Sequence, residues 1–169
     1  MVTRILMLGI CFVAVFISSG CSRVPQQCPQ DFAIYSYWNT GALPPEYYYE
    51  IEIEINPDHK GTLTYQAGYE SESEKENAFQ FSVDEKTWND FYWWLKTNKV
   101  FRNNWQESKE IMVGGSGTQV KLQMNGEKYE IPSVAVLSKN ERQLFSEIQN
   151  HINALVPEEI WQAVALLKP

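Results

Sequence analysis

Glu50, Glu52 and Glu54 alternate with Ile51, Ile53 and Ile55 in the stretch YYYEIEIEI, residues 47–55. On a strand, three carboxylates at i, i+2 and i+4 share one face with Tyr48, while Tyr47, Tyr49 and the isoleucines share the other. Successive same-face residues lie roughly 6.5–7 Å apart at Cα. Carboxyl pairs at about 5–5.5 Å or about 6.5–9.5 Å are what retaining and inverting glycoside hydrolases need, so the spacing permits that chemistry or a cation site. The same alternation also keeps any exposed sheet face in water, and spacing alone does not separate these readings.

Other chemistry-bearing groups are sparse. GGSG (114–117) lacks the lysine a phosphate loop requires, since Thr118 and Gln119 follow it, and it lacks the final glycine of a nucleophile elbow. It reads as a flexible connection between strands. His59 falls in a turn and His151 on the flank of a helical stripe, neither with a second ligand at metal spacing. No cofactor or metal is expected. Trp93 falls on the polar face of a helix, and Tyr48 on the acidic strand face. Tryptophan and tyrosine are frequent anchors of binding surfaces, so Tyr48, Glu50, Glu52, Glu54 and Trp93 form a candidate interaction surface. The plainer reading of the two aromatics is packing beneath a loop or beside the second helix.

The elements that must position these residues are legible in the pattern. FAIYSYW (32–38) is rich in strand formers without clean alternation, which suits a strand covered on both faces. Residues 47–55 and 62–69 alternate, with a turn at 56–61 between them, and 78–83 continues after a charged loop at 70–77. From Asp84 to Lys99 the period changes: Trp88, Phe91, Tyr92 and Leu95 recur at helical spacing behind an Asp84 cap. A short strand is expected at 111–117. In TQVKLQMNGEKYEIP (118–132), Asn125-Gly126 signals a type I′ hairpin pairing Met124 with Glu127, Leu122 with Tyr129 and Val120 with Ile131. Ser138 and Glu141 form a capping-box pattern before a helix carrying Leu144, Phe145, Ile148, Ile152 and Leu155. Pro157 suits the first turn of a final helix. The order implies an α+β fold: a single antiparallel sheet of about six to seven strands, with a central helix and a C-terminal helix pair packed on one face.

The N-terminus sets the setting. One positive charge at Arg4 precedes an apolar run, Ile5 to Ile17, interrupted only by Gly9. These 13 residues would rise about 20 Å as a helix, short of a hydrocarbon core of about 30 Å. The length suits the apolar region of an export signal. The run ends in SSGC, and Gly20-Cys21 resembles the lipobox of bacterial lipoproteins, although Ser18 stands where leucine is usual. Cys11, mid-run behind Ile10, lacks the preceding small residue. The resemblance covers Ile17 to Cys21 alone. It implies cleavage before Cys21, a thioether-linked diacylglycerol on its sulfur and an acylated amine. In a Gram-negative cell, Ser22 behind the cysteine implies passage to the outer membrane. The expected organisation is a signal at 1–20, a lipidated cysteine and tether at 21–30, where SRVPQQCPQ resists folding, and one domain at 31–169. The expected partners are the membrane, through the acyl chains, and another envelope protein or glycan.

Charge and cysteine usage bound the rest. The whole chain carries −7, and loss of Arg4 with residues 1–20 takes the mature protein to −8. Nucleic-acid binding needs clustered lysine and arginine, and the sequence has no such cluster. Of the three cysteines, only Cys28 remains after Cys11 is cleaved off and Cys21 is lipidated. It would be a free or capped thiol, or pair between chains. With no internal disulfide, a packed core must hold the fold, and 14% aromatic residues supply its bulk.

Overall fold

The computed structural model describes residues 24–69, 76–102, 104–108 and 115–168. The signal segment, Cys21, the acidic stretch 70–75 and residues 111–114 of the strand expected at 111–117 lie outside them, and the described remainder of that stretch, 115–117, forms no strand. Within them, β1 (Ala33–Asn39), β2 (Tyr49–Ile55), β3 (Lys60–Ala67) and β4 (Glu76–Ser82) lead into α1 (Glu85–Thr97). Then come β5 (Thr118–Met124), β6 (Glu127–Ile131), α2 (Lys139–Asn153) and α3 (Glu158–Ala165). The strands form one sheet in the order β4-β3-β2-β1-β5-β6, with every neighbouring pair antiparallel.

Each strand has a dry and a wet side, as an antiparallel sheet with helices on one face requires. Ile34, Ile53, Leu63, Val120 and Leu122 stand on the dry side and join Trp88, Phe91, Tyr92, Leu95, Phe145, Ile148 and Val164 in one core. Phe32, just before β1, sits 4.8 Å from Trp88 and 5.4 Å from Tyr92, centroid to centroid. Aromatic clustering thus ties the strand β1 to α1. Asp84 caps α1 by accepting from Thr87 N, which satisfies one of the donors a helix start leaves open.

The β5–β6 hairpin has the expected register, Met124 to Glu127, Leu122 to Tyr129 and Val120 to Ile131. Asn125 at φ 52° and Gly126 at φ 73° supply the left-handed pair a type I′ turn needs. Asp31 closes the turn from outside, its carboxylate accepting from Asn125 N at 2.7 Å and Gly126 N at 2.6 Å. These two donors hold the Asp31 carboxyl below the usual carboxylate range.

Three local expectations change. The strand β1 is not covered on both faces: Tyr35 and Tyr37 lie on the wet side, and it is these two aromatics that blur its alternation. The capping box is only half formed. Ser138 accepts from Glu141 N, but the Glu141 carboxylate turns to Arg102, and Ser138 N donates to Gln106 O instead. Pro157 caps α3 from outside, so the helix starts one residue later, at Glu158.

Candidate functional site

The wet side of the sheet is the candidate surface, and register builds it residue by residue. Tyr35 on β1 stands between Glu54 on β2 and Lys121 on β5. Tyr37 stands between Glu52 and Gln119. Beyond β2, Glu52 meets Thr64 and Glu54 meets Thr62. The Lys121 ammonium lies 5.3 Å from the centre of the Tyr35 ring, within the range of a cation–π contact. A shallow hollow of about 300 Å³ opens here, lined by Tyr35, Glu54, Lys121, Gln123 and Lys128. Burial raises the Tyr35 phenol above its ordinary value, and the Glu52 and Glu54 charges raise it further.

At the other end of the same face the side chains lock together. Tyr37 donates to Glu50 Oε2 at 2.6 Å and Tyr48 donates to the same oxygen at 2.9 Å. Asn39 Nδ2 donates to the Tyr37 hydroxyl at 2.9 Å. Asn39 Oδ1 accepts from Gly41 N at 2.8 Å and Gly117 N at 2.9 Å. One amide therefore joins the loop after β1, the end of the GGSG segment and the phenol network. The fit is tight: a Cβ on Gly41, at φ 83°, would meet Gly115 O at 2.0 Å. Desolvation pushes the Tyr37 and Tyr48 phenols up, and their bonds to the Glu50 carboxylate reinforce the shift.

The structure brings Glu50, Glu52 and Glu54 onto one face, and it places Tyr48 and Trp93 differently from each other. Tyr48 is only 9% exposed. The chain turns at 44–47, with Tyr48 N donating to Pro44 O, and the strand begins at Tyr49. Tyr48 therefore folds beneath Tyr69, stacked at 4.3 Å, while Tyr47, expected to face the core, is exposed. Trp93 is 44% exposed on α1, opposite that helix's buried stripe and on the helix side of the sheet. It shares no surface with the glutamates. Sequence reasoning missed Tyr35, Tyr37, Asn39 and Lys121. The i, i+2 tyrosines were visible, but only the register with β2 and β5 gives them charged neighbours.

Carboxylate chemistry is constrained by these contacts, because Glu50 Oε2 already accepts from two phenols. The histidines pack on aromatic rings, His59 at 5.4 Å from Trp88 and His151 at 4.0 Å from Trp94. Among the described residues no three His, Cys, Asp or Glu side chains gather where they could hold a metal ion, and no helix is long and apolar enough to cross a membrane. Cys28 is a free, half-buried thiol that burial pushes up to about 11.

A second concavity lies between the dry side of the sheet and the helices. It encloses about 260 Å³ among Trp38, Tyr49, Trp161, Gln149, Asn153 and Lys168. Trp38 and Tyr49 are 5.3 Å apart, and Lys168 Nζ lies 5.2 Å from the Tyr49 ring centre. No known family model matches the sequence and no curated protein matches it, which leaves the chemistry of these surfaces as the guide to function.

Proposed function

We propose that the chain is a lipid-anchored protein of the bacterial cell envelope, held by acyl chains on Cys21, and that it acts as a non-enzymatic interaction module through the wet face of its sheet. The observation that carries the second half is the Tyr35–Tyr37 pair on β1, flanked by Glu52 and Glu54 on one side and Lys121 on the other. Tyrosine offers a large contact area for few rotatable bonds. The Asn39–Tyr37–Glu50 bonds fix part of this face in advance, so little side-chain freedom remains to be lost on binding. Mixed charges set the kind of partner: an envelope protein or glycan with its own donors and acceptors, rather than a phosphate backbone. The anchor rests on the SSGC segment and on the apolar run before it. One chain binds a membrane only marginally, whereas two or three hold a domain of this size almost permanently.

Site-specific photo-crosslinking in the native host tests the interaction. A crosslinker in place of Gln119 or Thr64 is expected to give one discrete adduct, and one in place of Glu158 on α3 none. Tyr35→Ala should weaken the Gln119 adduct severalfold. Equal adducts from both faces, or none from the sheet, would remove this reading.

The cleft between sheet and helices favours a second reading, a small-ligand or glycan-binding envelope protein. Three aromatic rings and two amides suit a sugar, but about 260 Å³ falls just under the roughly 300–1,000 Å³ usual for small-molecule sites. Tryptophan quenching by soluble peptidoglycan fragments, abolished by Trp161→Ala, would support it over the first. A hydrolase using Glu50 to Glu54 is the weakest alternative; undiminished turnover of wall substrates by Glu52→Gln would retire it.

A further inference from the structure

The segment preceding the domain is bound to it. Val24 and Cys28 pack against the core. Pro25 O accepts from the Tyr92 hydroxyl at 2.7 Å and from Lys96 Nζ at 2.6 Å, and Gln26 Oε1 accepts from Lys96 Nζ at 3.0 Å. Cys28 and Pro29 share a hollow with Glu85, Trp88 and Asn89 in the first half of α1, whereas Pro25 and Gln26 reach its second half. Followed towards the N-terminus, the chain therefore runs along α1 and leaves the domain beside the C-terminal end of that helix.

Cys21 stands three residues before Val24, and three residues span at most about 10 Å. A free tether of nine residues would reach about 30 Å and let the domain turn in any direction. With the segment docked, lipid on Cys21 and the end of α1 must lie close together. The features found at that end suit a lipid surface. Trp93 is 44% exposed, and Lys96 Nζ sits 4.5 Å from its ring centre. Lys99, two residues past the end of the helix, is exposed as well. Two lysines at the end of one helix stand out in a chain whose net charge is −7. The acid on the same face of the helix, Asp90, is paired with Lys86 at 2.6 Å. Tryptophan and lysine are the side chains that settle at membrane interfaces, the ring at headgroup depth and the ammonium in the water above it.

We propose that the docked segment 24–30 turns the C-terminal half of α1 onto the phospholipid surface that holds the acyl chains, with Trp93 seated among the headgroups. The proposal rests on the lipid-anchor reading above. It also orients the molecule: Trp93 faces away from the sheet, so a membrane against it leaves the Tyr35–Tyr37 face turned to the aqueous space.

The test uses the acylated protein from its host, with acyl content fixed first by intact mass, in phosphatidylethanolamine/phosphatidylglycerol vesicles carrying phospholipid brominated just below the headgroup. Tryptophan emission is expected to be quenched relative to bromine-free vesicles. Trp93→Phe is expected to remove most of that quenching, and ten Gly/Ser residues inserted after Ser22 to reduce it severalfold. Equal quenching in wild type and Trp93→Phe, in protein of verified acyl content, would overturn the orientation and leave the anchor standing. So would shielding of Trp93 by a crosslinked protein without lipid quenching. A mass without acyl chains would overturn the anchor and the orientation together.

Discussion

The Tyr37 hydroxyl on β1 donates to Glu50 Oε2 on β2 at 2.6 Å, a diagonal bond across the two strands at the middle of the sheet. It organises the wet face, because Tyr48 donates to the same oxygen and Asn39 to the Tyr37 oxygen. Burial and the neighbouring carboxylate raise the Tyr37 phenol above its ordinary value of 10.0, and Tyr48 is raised for the same reasons. The folded state thus favours the protonated phenol. Its contribution to stability is fully present below pH 10 and is lost as pH rises through the raised folded values. Ultraviolet phenolate absorbance should show these tyrosines ionising only as tryptophan fluorescence reports unfolding. Glu50→Gln should bring their ionisation to lower pH and cost about 1–2 kcal/mol, the charged acceptor being half exposed. Phenols that all titrate together near pH 10 with the fold intact would contradict this.

Asn39 holds two loops through one oxygen, accepting from Gly41 N and Gly117 N. Asn39→Ala leaves both amides and the Tyr37 oxygen short of a partner. A loss of about 2 kcal/mol is expected in urea unfolding, with little change in the slope. Amide exchange at Gly117 should accelerate well before global unfolding does. Unchanged exchange at that amide would show that the loop is held by something else.

Gly61 on β3 lies opposite Phe81 on β4, and the ring covers it so closely that an added Cβ would stand 2.2 Å from Phe81 Cζ. Phe81 is itself buried. Gly61→Ala should therefore destabilise the β3–β4 edge by about 1–3 kcal/mol through overpacking. Adding Phe81→Leu should recover part of the loss, giving a coupling in the double-mutant cycle that two independent sites would not show.

Arg102 and Glu141 join the chain after α1 to the first turn of α2 through an ion pair whose carboxylate side chain is 10% exposed and whose guanidinium side chain is 30% exposed. Arg102 Nε is buried without a partner among the described residues. Glu141→Ala strands the charge. The expected loss is about 2–3 kcal/mol, below the about 3–5 kcal/mol of a fully buried pair, because Arg102 keeps some water. Replacing both with Met and Leu should cost less than Glu141→Ala alone. A single variant that unfolds at the wild-type urea midpoint would show that the pair adds nothing.

Much of this architecture was readable from periodicity. The β5–β6 register followed from Asn125-Gly126 and the alternation of Val120, Leu122 and Met124 around it, since one turn type and one buried face agree. The stripe of α1 was legible because Trp88, Phe91, Tyr92 and Leu95 are the four buried residues of that helix. What escaped was long-range. Tyr48 matched the strand pattern, but Pro44 and Pro45 start a turn that ends only at Tyr49, so the ring points under Tyr69. Asn39 has no periodic signature; its value comes from Gly117, distant in sequence. Residues 24–30 resemble a solvated linker in composition, and nothing local reveals that Tyr92 and Lys96 donate to Pro25.

The most direct test of the lipid anchor is the mass of the N-terminal peptide from protein isolated from native membranes. A peptide that begins at Cys21 and carries a diacylglyceryl thioether is expected, with a further acyl chain on its amine. A peptide that begins elsewhere, or an unmodified Cys21 thiol, would contradict it.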